Sequence, residues 1–104
     1  MSFRRISVNE AQEMINDDGS RIQIVDIRDD ESYEAGHIEG AVHLHNSNLH
    51  DFLQSADPEI PVLVCCYHGH MSQGAAAFFI EQGFEQALSL DGGYEAWSEV
   101  ESSD

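Results

Sequence analysis

The stretch VLVCCYHGHMSQGAAAFFI, residues 62–80, begins as an apolar run, passes two adjacent cysteines and a pair of histidines around a glycine, and ends in a helical apolar pattern. The continuous, β-branched run over 61–66 predicts a strand buried on both faces, as in a parallel sheet. SQGAAAFFIEQG (72–83) predicts a helix that starts at Ser72 and stops at Gly83. Cys66 falls at the carboxyl end of the strand, which is where open parallel sheets bind their ligands. Five residues, 67–71, separate it from Ser72. A loop of that length can curl until its N–H groups converge on the thiol, and with the helix N-terminus it forms an anion-friendly nest. Gly69 and Gly74 are expected to let the backbone turn tightly. Such a setting lowers a cysteine pKa and favours the reactive thiolate.

Cys65 and Cys66 are the only cysteines in the chain. A disulfide between neighbours strains the backbone. A metal site of Cys66, His68 and His70 lacks the paired ligand spacing of zinc sites. Alternation along the strand points Cys65 into the packing, where a thiol behaves as a small apolar group. Cys66, followed at once by polar residues and glycine, reads as a nucleophile.

Working outward, strands and helices alternate. Ser7 with Glu10 three residues on is a capping-box signature ahead of Val8, Ala11, Met14 and Ile15. Asp18-Gly19 reads as its stop. Residues 21–27 predict a strand, 29–36 a short helix ending at Gly36, and 40–44 a brief strand. Residues 47–56 predict a helix with Ser47 as cap and Pro58 past its end. A last strand spans 86–90 and a last helix 93–100, with 101–104 frayed. This order implies an α/β fold, a central parallel β-sheet flanked by helices on both faces, and a single domain over 1–104.

Other residues take structural readings. Asp26 and Arg28, at a strand end, read as scaffold residues that pair with nearby polar groups. His37 reads as a hydrogen-bonded turn or core residue. His43, His45 and His50 read as polar surface groups rather than a metal cluster. Residues 91–93, DGG, form a turn. Phe78, Phe79, Phe84 and Trp97 read as core packing.

The charge is lopsided: 20 acidic residues stand against 4 basic ones, a formal net charge of −16 at pH 7. All the basic residues are arginines. That balance argues against nucleic acid or an anionic membrane surface as partner. The opening MSFRRISVNE has no apolar signal core, and no stretch reaches the ~18 consecutive apolar residues of a membrane span. A cytoplasmic location is therefore expected, where cysteines are more often free, catalytic or metal-bound than structural staples.

Four stretches, VDIRD (25–29), YEAGHIEGAVHL (33–44), CYHGHMSQGAA (66–76) and LDGGYEAW (90–97), together resemble the single-domain rhodaneses, most closely the GlpE-type thiosulfate sulfurtransferases. The resemblance implies the rhodanese-like fold with Cys66 as catalytic cysteine. It implies a substrate-binding loop of Tyr67, His68, Gly69, His70 and Met71, closed by Ser72. It further implies sulfur transfer from thiosulfate, through a persulfide on Cys66, to cyanide or a dithiol such as reduced thioredoxin, with no cofactor or metal. Two departures stand out. His70-Met71 replaces the usual asparagine-serine, and Gln73 stands where a lysine often follows the serine, so the loop is bulkier and less cationic. Three alternatives stay open. A cysteine phosphatase or arsenate reductase closes its loop with an arginine, here replaced by Ser72. A non-catalytic binding module usually lacks the cysteine. A sulfur relay takes its sulfur from a protein persulfide.

Overall fold

The structure, a computed structural model, describes residues 2–17 and 21–102. Its elements run β1 (Arg4–Ile6), α1 (Val8–Asn16), β2 (Gln23–Asp26), α2 (Asp30–Ala35), β3 (Val42–His43), α3 (Leu49–Ser55), β4 (Val62–Cys65), α4 (Met71–Glu81), β5 (Ala87–Leu90) and α5 (Gly93–Ser102). Among the described residues the five strands form one sheet in the order β1-β5-β4-β2-β3, with every pairing parallel. This is the α/β arrangement expected from the alternation of elements.

All four residues of β4 are buried, because helices cover both sides of the sheet. Leu63, Cys65, Leu88 and Leu90 pack with Val8 and Ala11 of α1 and Trp97 of α5. Val25, Val62, Val64 and Ala87 face the other way, against Ala76 and Phe79 of α4, with Phe52 of α3 beside them. The period-2 alternation of the strands thus feeds two apolar layers. Phe79, Phe84 and Trp97 are buried as expected, whereas Phe78 is half-buried.

Several local expectations are corrected. β1 is not legible in the sequence. It pairs Ile6 with Leu90 at the sheet edge, and its arginines turn outward to Glu10 and Asp91. Charged side chains on such an edge discourage pairing with another chain. The cap of α3 is Asn48, not Ser47. α4 begins at Met71, one residue before Ser72. Gly36 has φ 165°, an extended backbone rather than a left-handed cap; a Cβ there would meet the Tyr94 hydroxyl at 2.9 Å. Ser7 does cap α1, accepting from the Glu10 N–H at 3.1 Å, but the Glu10 carboxylate turns to Arg4. The helix stop read at Asp18-Gly19 lies outside the described residues. At the C-terminus, Glu101 and Ser102 continue α5, and the remaining two residues of the predicted frayed end lie outside the described residues.

Gly74 does not help the loop to turn. It sits exposed within α4, and an added Cβ meets nothing within 4 Å. Gly74→Ala is therefore expected to stabilise the protein by about 0.5–1 kcal/mol, read as a rise in Tm.

Candidate active site

Parallel pairing brings the carboxyl ends of β2, β4 and β5 to one edge, with Asp26 beside Cys65. The chain leaves β4 at Cys66 and returns into α4 after residues 67–70. Within that loop Gly69 has φ +91°, a left-handed conformation that favours glycine. A Cβ at Gly69 would lie 2.7 Å from the Gly92 nitrogen. The turn aims the N–H groups inward: Gly69 and Ser72 each donate to Cys66 Sγ at 3.2 Å.

The N-terminus of α5 holds the loop from below. The Tyr94 N–H donates to the Cys66 carbonyl at 2.8 Å and the Glu95 N–H to the Tyr67 carbonyl at 3.3 Å. Gly93 permits this approach, because a Cβ there would fall 2.5 Å from the Cys66 carbonyl oxygen. Gln73 donates its side-chain amide to the Gly69 carbonyl at 2.9 Å. It braces the loop where a lysine would have brought charge.

The two thiols have opposite electrostatics, and both are free. Burial pushes the Cys65 thiol up to about 12, and the Asp26 carboxylate beside it adds to the rise. Burial also opposes ionisation of Cys66. There the Ser72 hydroxyl and the N–H groups of Ser72, Gly69 and His68 outweigh it, so the pKa falls below the ordinary thiol value. The donors that stabilise the thiolate, one hydroxyl and three peptide N–H groups, are all neutral.

The predicted loop residues divide. Gly69 and Ser72 touch the thiol. The Tyr67 hydroxyl turns away to accept from the Asp29 N–H at 3.1 Å. His68 is exposed, 3.4 Å from the Glu95 carboxylate. His70 is the exposed N-cap residue of α4, and Met71 its exposed first residue. Asp26 and Arg28 form a buried ion pair at 2.7 Å. Arg28 also donates to the Gly36 carbonyl at 2.7 Å and lies 4.2 Å from the centre of the Tyr94 ring.

The histidines partly depart from expectation. His37 is exposed and bonded to the Tyr33 carbonyl. His45 and His50 are exposed. His43 is not a surface group: it is half-buried, stacked on Tyr33 and bonded to the Arg28 carbonyl. Its place between α2 and the β2 end removes it from water.

Sequence reasoning gave no site role to Ser89 or Tyr94, and read Gly93 only as part of the turn over 91–93, where its φ is +59°. Ser89 Oγ lies 2.7 Å from Ser72 Oγ, both residues fully buried. When Ser89 donates, the Ser72 proton is free for the thiolate. The signal that could have found these residues is position: LDGGY leaves the strand adjacent to β4, at the same ligand-binding edge. Ser72→Ala is expected to raise the Cys66 pKa, seen as thiolate absorbance appearing at higher pH. It should also cost about 1–3 kcal/mol in stability, because the Ser89 hydroxyl is left buried without its partner.

A family model for the rhodanese-like domain matches residues 7–100. The chain is 47% identical over 103 residues to thiosulfate sulfurtransferase GlpE of Pseudomonas paraeruginosa, covering 99% of this chain and 91% of that protein. A GlpE of Pseudomonas aeruginosa matches at 46% with the same coverage. Among solved structures, a rhodanese-like domain protein from Staphylococcus aureus has a TM-score of 0.79 at 25% identity, covering 91% of each chain. A Rhodopseudomonas palustris protein of unknown function, described as a possible tyrosine phosphatase, has a TM-score of 0.81 at 23% identity. It covers 95% of this chain and 82% of that one, and shows the fold alone. Similarity over almost the whole chain, with the fold shared, makes the assignment: this chain belongs to the rhodanese-like domain family.

Proposed function

We propose that the chain is a thiosulfate sulfurtransferase, one domain over 1–104, that carries sulfane sulfur as a persulfide on Cys66. The observation that carries this reading is the pair of N–H donors at 3.2 Å from Cys66 Sγ, in a loop with no arginine. The names of the relatives, thiosulfate sulfurtransferase, support it.

The Cys66 thiolate attacks the outer sulfur of thiosulfate. A new S–S bond forms, the donor S–S bond breaks, and sulfite leaves with the electron pair. The terminal persulfide sulfur stays within reach of the loop, with Tyr67, His68, Gly69, His70, Met71 and Ser72 as the substrate-binding residues. Cyanide, or a dithiol such as reduced thioredoxin, then takes that sulfur and releases the thiolate. This is double displacement through a covalent enzyme intermediate. No general base is needed when the thiolate is already formed.

Cys66 is only 1% exposed. That favours a donor presenting one protruding sulfur over a tetrahedral phosphate that must be gripped on several oxygens. Ser72, in the place of a phosphatase arginine, turns its hydroxyl to Ser89 rather than outward. A free reactive thiol suits a reducing compartment, and we place the reaction in the cytoplasm.

Intact-mass measurement tests the intermediate. Thiosulfate is expected to add one sulfur atom to the protein, and cyanide to remove it. An unchanged mass during turnover would rule out double displacement.

A further inference from the structure

Beside the loop the same sheet edge carries a groove of about 440 Å³, lined largely by Leu44, Leu49, Met71, Ala75, Phe78 and Phe79, with His45 and Asn46 as a smaller polar part. Its volume and apolar lining fall in the range of small-molecule sites, ~300–1,000 Å³. On α4, Met71, Ala75 and Phe78 follow at i, i+4 and i+7, so they share one face of the helix. Ser72, Ala76 and Phe79, each one residue on, make the neighbouring buried stripe. The groove face therefore starts one residue from the N–H that holds Cys66 Sγ. Met71, at 58% exposure, stands where groove and loop meet.

Neither small substrate of the proposed reaction accounts for this groove. Thiosulfate is a compact dianion and needs donors or cations. The arginine of the lining, Arg28, is already engaged by Asp26, the Gly36 carbonyl and Tyr94. The protein around it carries a net charge of −16. Cyanide has no body to fill a cavity of this size. What the lining suits is an uncharged carbon group attached to the second substrate.

Building on the persulfide reading above, we propose that the groove is an acceptor subsite. It binds the apolar body of a small organic thiol, aryl or alkyl, and places its sulfur at the Cys66 persulfide. The thiolate RS⁻ attacks the outer sulfur of Cys66–S–SH. The new RS–SH bond forms, the bond to Cys66 breaks, and Cys66 departs as the thiolate. The product is the hydropersulfide RSSH, and no further oxidant or reductant takes part.

The test is steady-state turnover with thiosulfate as donor and four acceptors: cyanide, 2-mercaptoethanol, phenylmethanethiol (an alkyl thiol that adds an apolar ring) and reduced thioredoxin, a protein dithiol. Burial of the ring is expected to give phenylmethanethiol a kcat/KM at least about tenfold above 2-mercaptoethanol. Ala75→Trp, which fills the groove, should lower the ratio of phenylmethanethiol to cyanide kcat/KM by about tenfold. Ala75→Leu, a smaller filling, should lower it less and serves if the tryptophan variant does not fold. Equal kcat/KM for the two thiols, or an unchanged ratio in a folded variant, would overturn the subsite. So would a loss confined to a reduced protein dithiol, which would make the groove a protein-docking face. Absence of cyanide turnover in the unsubstituted protein would instead sink the sulfurtransferase reading, so the two failures are distinguishable.

Discussion

Cys66→Ser is expected to cut sulfur transfer from thiosulfate to cyanide by at least about a thousandfold, because the covalent route loses its only carrier. A serine hydroxyl under the same N–H donors stays protonated near neutral pH and forms no persulfide. Cys65→Ser, one residue away, is expected to retain most activity. Its cost falls on stability, about 1–3 kcal/mol for a hydroxyl in a fully buried site, softened if it bonds the Cys66 carbonyl. Turnover and thermal unfolding of both variants decide the point, and a dead Cys65→Ser with an active Cys66→Ser would reverse the assignment. The pH profile adds a sign. Thiolate is the reactive form, so uptake of sulfur should rise with pH through the Cys66 pKa and then level off. Since that pKa is lowered, the midpoint should lie below that of an ordinary free thiol measured alongside it.

The second large effect is structural. Asp26→Ala strands the Arg28 guanidinium in a site where Asp26 is 0% and Arg28 7% exposed. Asp26 accepts from the Arg28 side chain at 2.7 and 3.0 Å and from its backbone N–H at 3.0 Å. Breaking one side of a buried ion pair typically costs about 3–5 kcal/mol. For a domain of this size that lowers Tm by at least about 12 °C. The loss should reach the site as well, since Arg28 packs on Tyr94 and the Tyr94 N–H holds the Cys66 carbonyl. Asp26→Leu combined with Arg28→Met should recover much of the stability, because no charge is then left without a partner. A single-variant loss below about 1 kcal/mol would show that water reaches and solvates the guanidinium.

The legible parts of the molecule are those written in local pattern. The run before Cys66 showed a strand buried on both faces because each of its positions is apolar, and the polar loop after it marked the sheet edge. β1 escaped because only Ile6 of its three residues is buried, too few to display a period. Asn48 displaced Ser47 as cap because its carboxamide oxygen accepts from His45 and its NH₂ reaches the His43 carbonyl, fixing the turn before α3. The Ser72–Ser89 contact joins two elements 17 residues apart, and no spacing rule along the chain reveals it. The groove draws its walls from the segments after β2 and β3, from α3 and from α4, so its existence depended on packing. Gln73 was visible as a departure, but its bond to the Gly69 carbonyl became evident only with the loop closed.

The neighbouring cysteine has one more consequence. A sulfur atom stored on Cys66 could be lost internally, if Cys65 attacked the inner persulfide sulfur, closed a disulfide and expelled hydrogen sulfide. That discharge requires the Cys65 thiolate. With its pKa pushed up to about 12 by burial, that thiolate is scarcely populated at pH 7. Cys65 is also fixed among the apolar side chains under α1 and α5, its thiol directed to the Cys66 carbonyl at 3.6 Å. Burial of Cys65 therefore acts as insulation: the loaded protein would hold its cargo until an external acceptor arrives, although a second thiol stands on the adjoining residue.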